Sequence, residues 1–303
     1  MISPSYLRYV YVGMDANFRL KNQLVSSYSA DPGLGIGMAY FVPREEYEEY
    51  VLSKASAGDV SRSLSYRNSH LHYIQINTCV GFQALAQANT RSSVGLRYTG
   101  VAGVSCGRSE MLLPNGVGNL QKGERFVGMD FMSHFLRAFL CCIRYANMDY
   151  VFGSAISLFR QPTIIVGYDI SCQWHANLLK RIESDWPEEL RPSEVETRPV
   201  VGKLHEPAHR REGHDEYSCN FAYGLGLTDF ECLERIWAGN NGVGNATKTY
   251  GPGTRQDVLD DHFGFWNWEK YKGLGWWSLS NFIEIRFLNL RQVLHSCVDI
   301  SRR

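Results

Sequence analysis

Apolar residues change their period in the middle of the chain, and the change predicts a strand followed by a helix. Pro162–Ile170 is a continuous apolar and β-branched run with Asp169 near its end, which is typical of a buried central strand. The next segment carries apolar residues at every fourth position, which predicts an amphipathic helix. Its stripe is Ile170, Trp174, Leu178 and Ile182, broadened by Leu179. The result is a strand–Asp–helix unit.

The rest of the chain alternates between strand patterns and helix patterns. Strands are predicted at Tyr6–Met14, which Asp15 closes, and at Val94–Cys106, as a strand pair or one bent strand. Helices are predicted at Pro43–Ala55, Gly81–Ala88, Phe126–Arg144, Leu227–Ala238 and Ser278–Val298. Loops or linkers are predicted at Ser56–Asn68, Leu113–Arg125, Pro187–Pro199 and Asn240–Gly253. This order predicts an α/β sheet protein.

Acidic residues stand where strands are predicted to end. Asp15 and Asp169 each close an apolar run, and ligands of open α/β sheets bind beyond the strand ends. A single Asp at such a place is also a common turn former. Two of them, together with Asp229, Glu231 and Glu234 on a later predicted helix, favour a site. Carboxylate oxygens are the ligands that Mg²⁺ prefers, so these residues predict a metal site.

One short motif points to a different chemistry. His205-Glu206-Pro207-Ala208-His209 has the letters of the H-E-x-x-H zinc-protease motif, which needs both histidines on one helix face. Pro207 removes a backbone donor and disfavours helical geometry at Glu206. A third ligand at a familiar spacing is absent. The residues therefore predict an extended loop and argue against a metalloprotease.

Composition narrows the class of protein. With 44% hydrophobic and 13% aromatic residues, the 303-residue chain has the content of a folded core. A net charge of zero argues against tight DNA binding by this chain alone. The eight cysteines form no C-x-x-C pair and indicate thiols in a reducing compartment. No signal peptide is predicted, and Phe126–Ile143 is too short and too charged for a membrane span.

Eight sequence blocks, in order, resemble those of the KDZ (Kyakuja-Dileera-Zisupton) transposases and cover most of residues 12–275. They are MDANFRLK (14–21), ALAQANTR (84–91), LPNGVGNLQKGER (113–125), YANMDYVF (145–152), YDISCQWH (168–175), KLHEPAH (203–209), YSCNFAYGLGLTDFECLERIWA (217–238) and GPGTRQDVLDDHFGFWNWEKYKGLG (251–275). In this resemblance the Pro of the HEPAH stretch belongs to an H-x-P-A-H block.

The resemblance implies a catalytic core over residues 1–275 with an α/β fold. This is an RNase H-like mixed sheet flanked by helices, with loop and helical insertions. It also implies a D-D-E set that binds Mg²⁺ or Mn²⁺ and cleaves and transfers DNA strands. Asp15 matches the first acid, Asp169 matches the second, and Glu234 is chosen as the third, with Glu231 as the alternative.

Other residues are expected to assist. Cys172 and His175 match a C-x-x-H pattern after the second Asp and are assigned a supporting role. The implied partners are DNA, as transposon ends and target, and a second copy of the chain, with a nuclear location and no membrane. Candidate DNA contacts are Lys122, Arg125, Lys180, Arg181, Trp266 and Trp268.

The match has departures that leave a second function open. Residues 126–144 interrupt blocks that adjoin in the family and are expected to be an insertion. Residues 276–303 are expected to be a divergent tail. The chain is expected to be a truncated or degenerate copy. The alternative is therefore an inactive relic, or a protein that binds DNA or a partner without cutting.

Overall fold

The computed structural model describes residues 9–34, 39–65, 95–121, 134–157, 159, 163–192, 196–209, 213–226 and 228–274. Six strands form one mixed sheet. They are β1 (Tyr9–Asn17), β2 (Asn22–Gln23), β3 (Leu96–Cys106), β4 (Leu112–Gln121), β5 (Thr163–Gly167) and β6 (Glu196–Val200).

The longer helices flank this sheet, and short helical turns connect the elements. The helices are α1 (Arg44–Ser65), α2 (His134–Ile156), α3 (Ser171–Trp174), α4 (Leu178–Ser184), α5 (Cys232–Asn240), α6 (Gly244–Thr247) and α7 (residues 252–274). Single 3₁₀ turns lie at His175–Asn177, Glu188–Leu190, Glu206–Ala208, His214–Tyr217 and Asn241–Val243. The predicted α/β class is confirmed.

The pairing of the strands gives the order β4-β3-β1-β5-β6 across the sheet. Val101 of β3 pairs with Asn17 on one side and Asn119 on the other, so β1 and β4 occupy opposite edges of β3. The two-residue strand β2 continues the edge of β1 along β3. Strands β5 and β6 run parallel to β1, and β3 runs antiparallel to it.

Both faces of the sheet are buried, which explains the continuous apolar run of β5. Ile164 and Val166 face a core shared with α1, α2 and α3, whereas Ile165 faces a second core on the other side. A third cluster joins the sheet to α5 and α7 through residues such as Trp237 and Phe263. No helix within the described ranges is long and apolar enough to cross a bilayer.

Several element boundaries differ from the prediction. Strand β1 does not close at Asp15 but continues to Asn17, because β3 pairs along it as far as Val101. Helix α1 continues through the predicted loop to Ser65. The predicted linker at 187–199 contains strand β6, where Pro199 is tolerated because β5 is the sole partner of β6 among the described strands.

The predicted glycine-rich loop at 113–125 is wrong over 113–121, because residues 112–121 form strand β4, and its last four residues lie outside the described residues. Here glycine allows close packing and does not mark a turn. A Cβ at Gly118 would lie 2.5 Å from Val151 Cγ2 of α2 and 3.1 Å from the Tyr47 ring of α1, so a larger residue would push these helices away.

Two helix predictions also need correction. Leu179 does not extend the buried stripe, since it is 61% exposed while Leu178 is fully buried. Helix α5 begins at Cys232, later than predicted, after Phe230 adopts a left-handed φ of 59°. Predictions for residues 81–88, 126–133 and 278–298 lie outside the described residues, as does the tail at 276–303.

Candidate active site

The ends of parallel strands bring two acids together. Gly13 of β1 pairs with Gly167 of β5, and each strand reaches an aspartate two residues later, Asp15 and Asp169. Neighbouring strands lie about 4.8 Å apart, so this register sets the carboxylates side by side at one edge. Strand β6 ends beside them, and the chain from Gly202 to His209 comes directly after it.

Helix α5 contributes the glutamates to the same edge. Glu231 is the N-cap of the helix and Glu234 lies in its first turn. The helix can approach β3 closely because position 103 is glycine: a Cβ there would lie 2.6 Å from the Trp237 ring. From this position the Trp237 indole N–H donates to Asp15 Oδ2 at 2.8 Å. Glycine on a strand thus allows α5 to orient the first acid.

The four carboxylates line one small pocket. Its walls include Asp15, Asp169, Glu231 and Glu234. The two glutamates are held differently. Glu231 is 11% exposed and accepts the Leu204 backbone N–H at 2.7 Å, whereas Glu234 is 39% exposed.

His205 is the cationic partner of the acid pocket. Its Nδ1 lies 3.3 Å from Asp169 Oδ1 and 3.5 Å from Glu231 Oε2. Its Nε2 lies 3.6 Å from Glu234 Oε1. One imidazole therefore contacts three of the acids. Sequence reasoning placed His205 in a loop and missed this role, although the H-x-P-A-H block was the signal for it.

Burial and mutual repulsion shift the ionisation of the site. Burial raises the pKa of Asp15 well above its usual value, and the charges of Asp169 and Glu234 raise it further. Burial likewise raises the pKa of Asp169 to about 6, although His205 opposes the rise. Interaction with Glu231, ahead of the charge of Asp169, raises the pKa of His205 to about 9. Such crowded carboxylates favour a cation between them.

Asp229 does not join the acid pocket. Its carboxylate accepts two hydrogen bonds from Arg235, at 2.9 and 3.1 Å, and Arg235 lowers its pKa. Arg235 also pairs with Glu110, which in turn binds Lys270 of α7. This network fixes the start of α5 and leaves Asp229 a structural role.

Cys172 and His175 diverge despite being one turn apart in sequence. Cys172 Sγ lies 3.8 Å from His209 Nδ1, while His175 Nε2 contacts Thr197 at 3.0 and 3.1 Å. The HEPAH stretch forms no α-helix, in agreement with the argument from Pro207, but the predicted extended loop is wrong, because residues 206–208 form a single 3₁₀ turn. Its two histidines face different clusters, so they do not form a zinc-protease site.

The predicted DNA contacts are distributed unevenly. The prediction that Arg181 contacts DNA is wrong, because its side chain is only 1% exposed and pairs with Asp149 in the core. Trp266 is partly buried, with its indole N–H bound to the Glu110 carbonyl. Lys180 and Trp268 are exposed. Lys122 and Arg125 lie outside the described residues.

The fold and pocket define a class: an α/β protein whose carboxylates cluster where the parallel pairing of β1 and β5 ends. A family model of the Kyakuja-Dileera-Zisupton transposases matches residues 9–140 and 139–267. The chain belongs to this family, and the resemblance seen in the sequence is confirmed. Membership indicates a transposase-type function and suggests a divalent metal. No curated protein and no solved structure matches the chain.

Proposed function

We propose that the protein is a D-D-E transposase that cleaves and transfers DNA strands at the pocket formed by Asp15, Asp169 and Glu234. The observation that carries this proposal is the convergence of three carboxylates in one pocket. Asp15 comes from β1, Asp169 follows the end of β5, and Glu234 lies in the first turn of α5. A mixed sheet with acids at this edge supports the RNase H-like fold that the family implies. The proposed substrates are transposon ends and target DNA.

The donor set fits a hard divalent cation such as Mg²⁺ or Mn²⁺. The pocket offers carboxylate oxygens, and their mutual repulsion is of the kind that such a cation relieves. When bound, divalent ions activate the attacking oxygen and stabilise the leaving oxygen of a phosphodiester. In this proposal the carboxylates act as ligands and not as proton shuttles, and the Trp237 N–H holds Asp15 in orientation.

The contacts favour Glu234 over Glu231 as the third acid. The charge of Glu234 raises the pKa of both Asp15 and Asp169, so it lies near both. Together with Asp169 and His205 it forms a group whose ligand atoms all lie within 4.8 Å of one another. Glu231 has one oxygen committed to the Leu204 N–H, so we propose that it positions the loop.

The test begins with calorimetric titration of Mn²⁺ and continues with Mn²⁺-dependent nicking of supercoiled DNA. Asp169→Asn and Glu234→Gln are expected to lose saturable binding and to lower nicking by about 100-fold. Glu231→Gln is expected to retain binding. Glu206→Gln is the matched control, because its carboxylate lies in the same loop but bonds Asn220 outside the pocket.

The outcomes separate the alternatives. Loss of binding in Glu231→Gln, with binding intact in Glu234→Gln, would make Glu231 the third acid. A folded wild-type chain that binds no Mn²⁺ would instead support the relic that binds DNA or a partner without cutting. A protein that cleaves transposon DNA would act in the nucleus. A protein that holds two transposon ends together would be expected to form a homo-oligomer.

A further inference from the structure

A second cluster of metal-ligating side chains lies beside the acid pocket. It consists of Cys172 on α3, His209 after the 3₁₀ turn at 206–208, and His214 on the next 3₁₀ turn. The ligand atoms of these residues all lie within 4.8 Å of one another, and each side chain is partly buried. None of the three belongs to the carboxylate set.

The distances fit the edges of a coordination tetrahedron. Zn²⁺ bonds of about 2.3 Å to sulfur and about 2.0–2.1 Å to nitrogen set ligand atoms about 3.5 Å (S to N) and about 3.3 Å (N to N) apart. Here Cys172 Sγ lies 3.8 Å from His209 Nδ1, and His209 Nδ1 lies 3.1 Å from His214 Nε2. We propose that Cys172, His209 and His214 bind a zinc ion that is distinct from the ions of the acid pocket.

The donor chemistry separates the two sites. One thiolate and two imidazoles suit borderline-soft Zn²⁺, whereas the oxygen-rich acid pocket suits Mg²⁺ or Mn²⁺. The competing arrangement is a hydrogen-bonded chain from Cys172 through His209 to His214. In that hydrogen-bonded arrangement, the single atom His209 Nδ1 would have to bond both Cys172 and His214. Its contact with the sulfur, at 3.8 Å, would be a weak hydrogen bond. A metal uses all three atoms at once.

The zinc would cross-link two segments that form the acid pocket. Cys172 comes three residues after Asp169, and His209 comes four residues after His205. Coordination of one zinc ion by Cys172 and His209 would fix the loop that carries His205 against α3, the helix that begins after Asp169. This role does not depend on the proposed DNA cleavage, since a catalytically inactive chain would hold the ion equally well.

The experiment replaces zinc with Co²⁺ in the full-length chain and records the absorption spectrum. A thiolate-to-cobalt charge-transfer band is expected at one equivalent of Co²⁺, and one zinc per chain is expected by elemental analysis. No cysteine is among the described residues that line the acid pocket, so that pocket cannot produce a thiolate band. Wild-type protein with no tightly bound zinc and no thiolate band would overturn the proposal.

Variants assign the ligands. Cys172→Ser is expected to abolish the band, and His209→Ala or His214→Ala to weaken cobalt binding by at least tenfold. Cys106→Ser and His262→Ala are matched controls with surface-accessible side chains elsewhere, and both should retain the band.

One further variant covers the case in which Cys172→Ser fails to fold. Cys172→His supplies a nitrogen donor, so it is expected to keep one metal per chain while losing the thiolate band. A band that persists in a folded Cys172 variant would mean that another cysteine is the ligand, and would overturn the assignment.

Discussion

Removing the charge of Asp149 is expected to destabilise the protein more than any surface change. Asp149 on α2 receives two hydrogen bonds from Arg181, at 2.6 and 3.0 Å, and one from the Trp174 indole at 2.8 Å. Both ion-pair side chains are 1% exposed. Burial raises the pKa of Asp149, and the charge and hydrogen bonds of Arg181 oppose the rise.

Asp149→Asn keeps the shape of the side chain but leaves the Arg181 guanidinium without its counter-charge. Removal of one partner from a buried ion pair typically costs about 3–5 kcal/mol, because the remaining charge stays desolvated. The amide also presents hydrogen-bond donors to Arg181 in place of one carboxylate oxygen. The free energy of unfolding, measured by urea denaturation, should therefore fall by about 3–5 kcal/mol.

The Lys54–Asp185 pair supplies the control. Its atoms lie 3.0 Å apart, but its side chains are 21% and 20% exposed. Asp185→Asn should cost about 1 kcal/mol or less, because water still screens the pair. If Asp149→Asn costs no more than this control, the core pair is not desolvated and the reasoning from burial fails.

Four further outcomes test the pocket and the packing around it. Trp237→Phe keeps the ring but removes a hydrogen bond to a charged group, worth about 1.5–3 kcal/mol, so Mn²⁺-dependent nicking should fall about tenfold or more as Asp15 loses its orientation. Because the pKa of Asp169 is raised to about 6, its deprotonated fraction drops about tenfold from pH 7 to pH 5, and calorimetry should show Mn²⁺ affinity falling at least as much. In the metal-free protein, the same raised pKa means that protonated Asp169 adds to the free energy of unfolding at acidic pH. This contribution is lost as the pH rises through about 6. Leu178→Ala should cost about 2–5 kcal/mol in urea denaturation, whereas Leu179→Ala should cost less than about 0.5 kcal/mol; equal costs would contradict the observed burial.

The spacing of apolar residues along the chain predicted the elements whose burial is decided by neighbouring residues. The central part of the predicted run at 162–170, residues 163–167, forms β5 because both its faces are covered. The fourfold spacing of Trp174 and Leu178 gives the buried stripe that comes next. Strand β4 was missed because its glycines have the composition of a loop. These glycines are explained by tertiary packing: Gly118 permits contact with Tyr47 of α1. No residue close to Gly118 in the sequence indicates that α1 packs there.

The candidate site divides in the same way. Asp15 and Asp169 were predicted from strand ends, and the resemblance selected Glu234 from the three acids of a later predicted helix. The place of His205 among the carboxylates could not be predicted from spacing, because it depends on where β6 ends. Arg181 was wrongly predicted to contact DNA, because its ion-pair partner is distant in the sequence. A cation on a predicted helix is expected to be exposed until its partner, Asp149 on α2, is known.

The sheet register explains why residues far apart in sequence meet in one pocket. Gly13, Gly167 and Val200 lie side by side across β1, β5 and β6, so the residues that follow these three positions lie at one edge. The chain after β6 then turns back over this edge and delivers His205 to the acids and His209 to Cys172. A single loop therefore contacts both the oxygen-rich pocket proposed for Mg²⁺ or Mn²⁺ and the sulfur-containing cluster proposed for zinc. Because Mg²⁺ does not compete for thiolate, the proposed zinc would hold this loop in place whether or not the acid pocket is loaded.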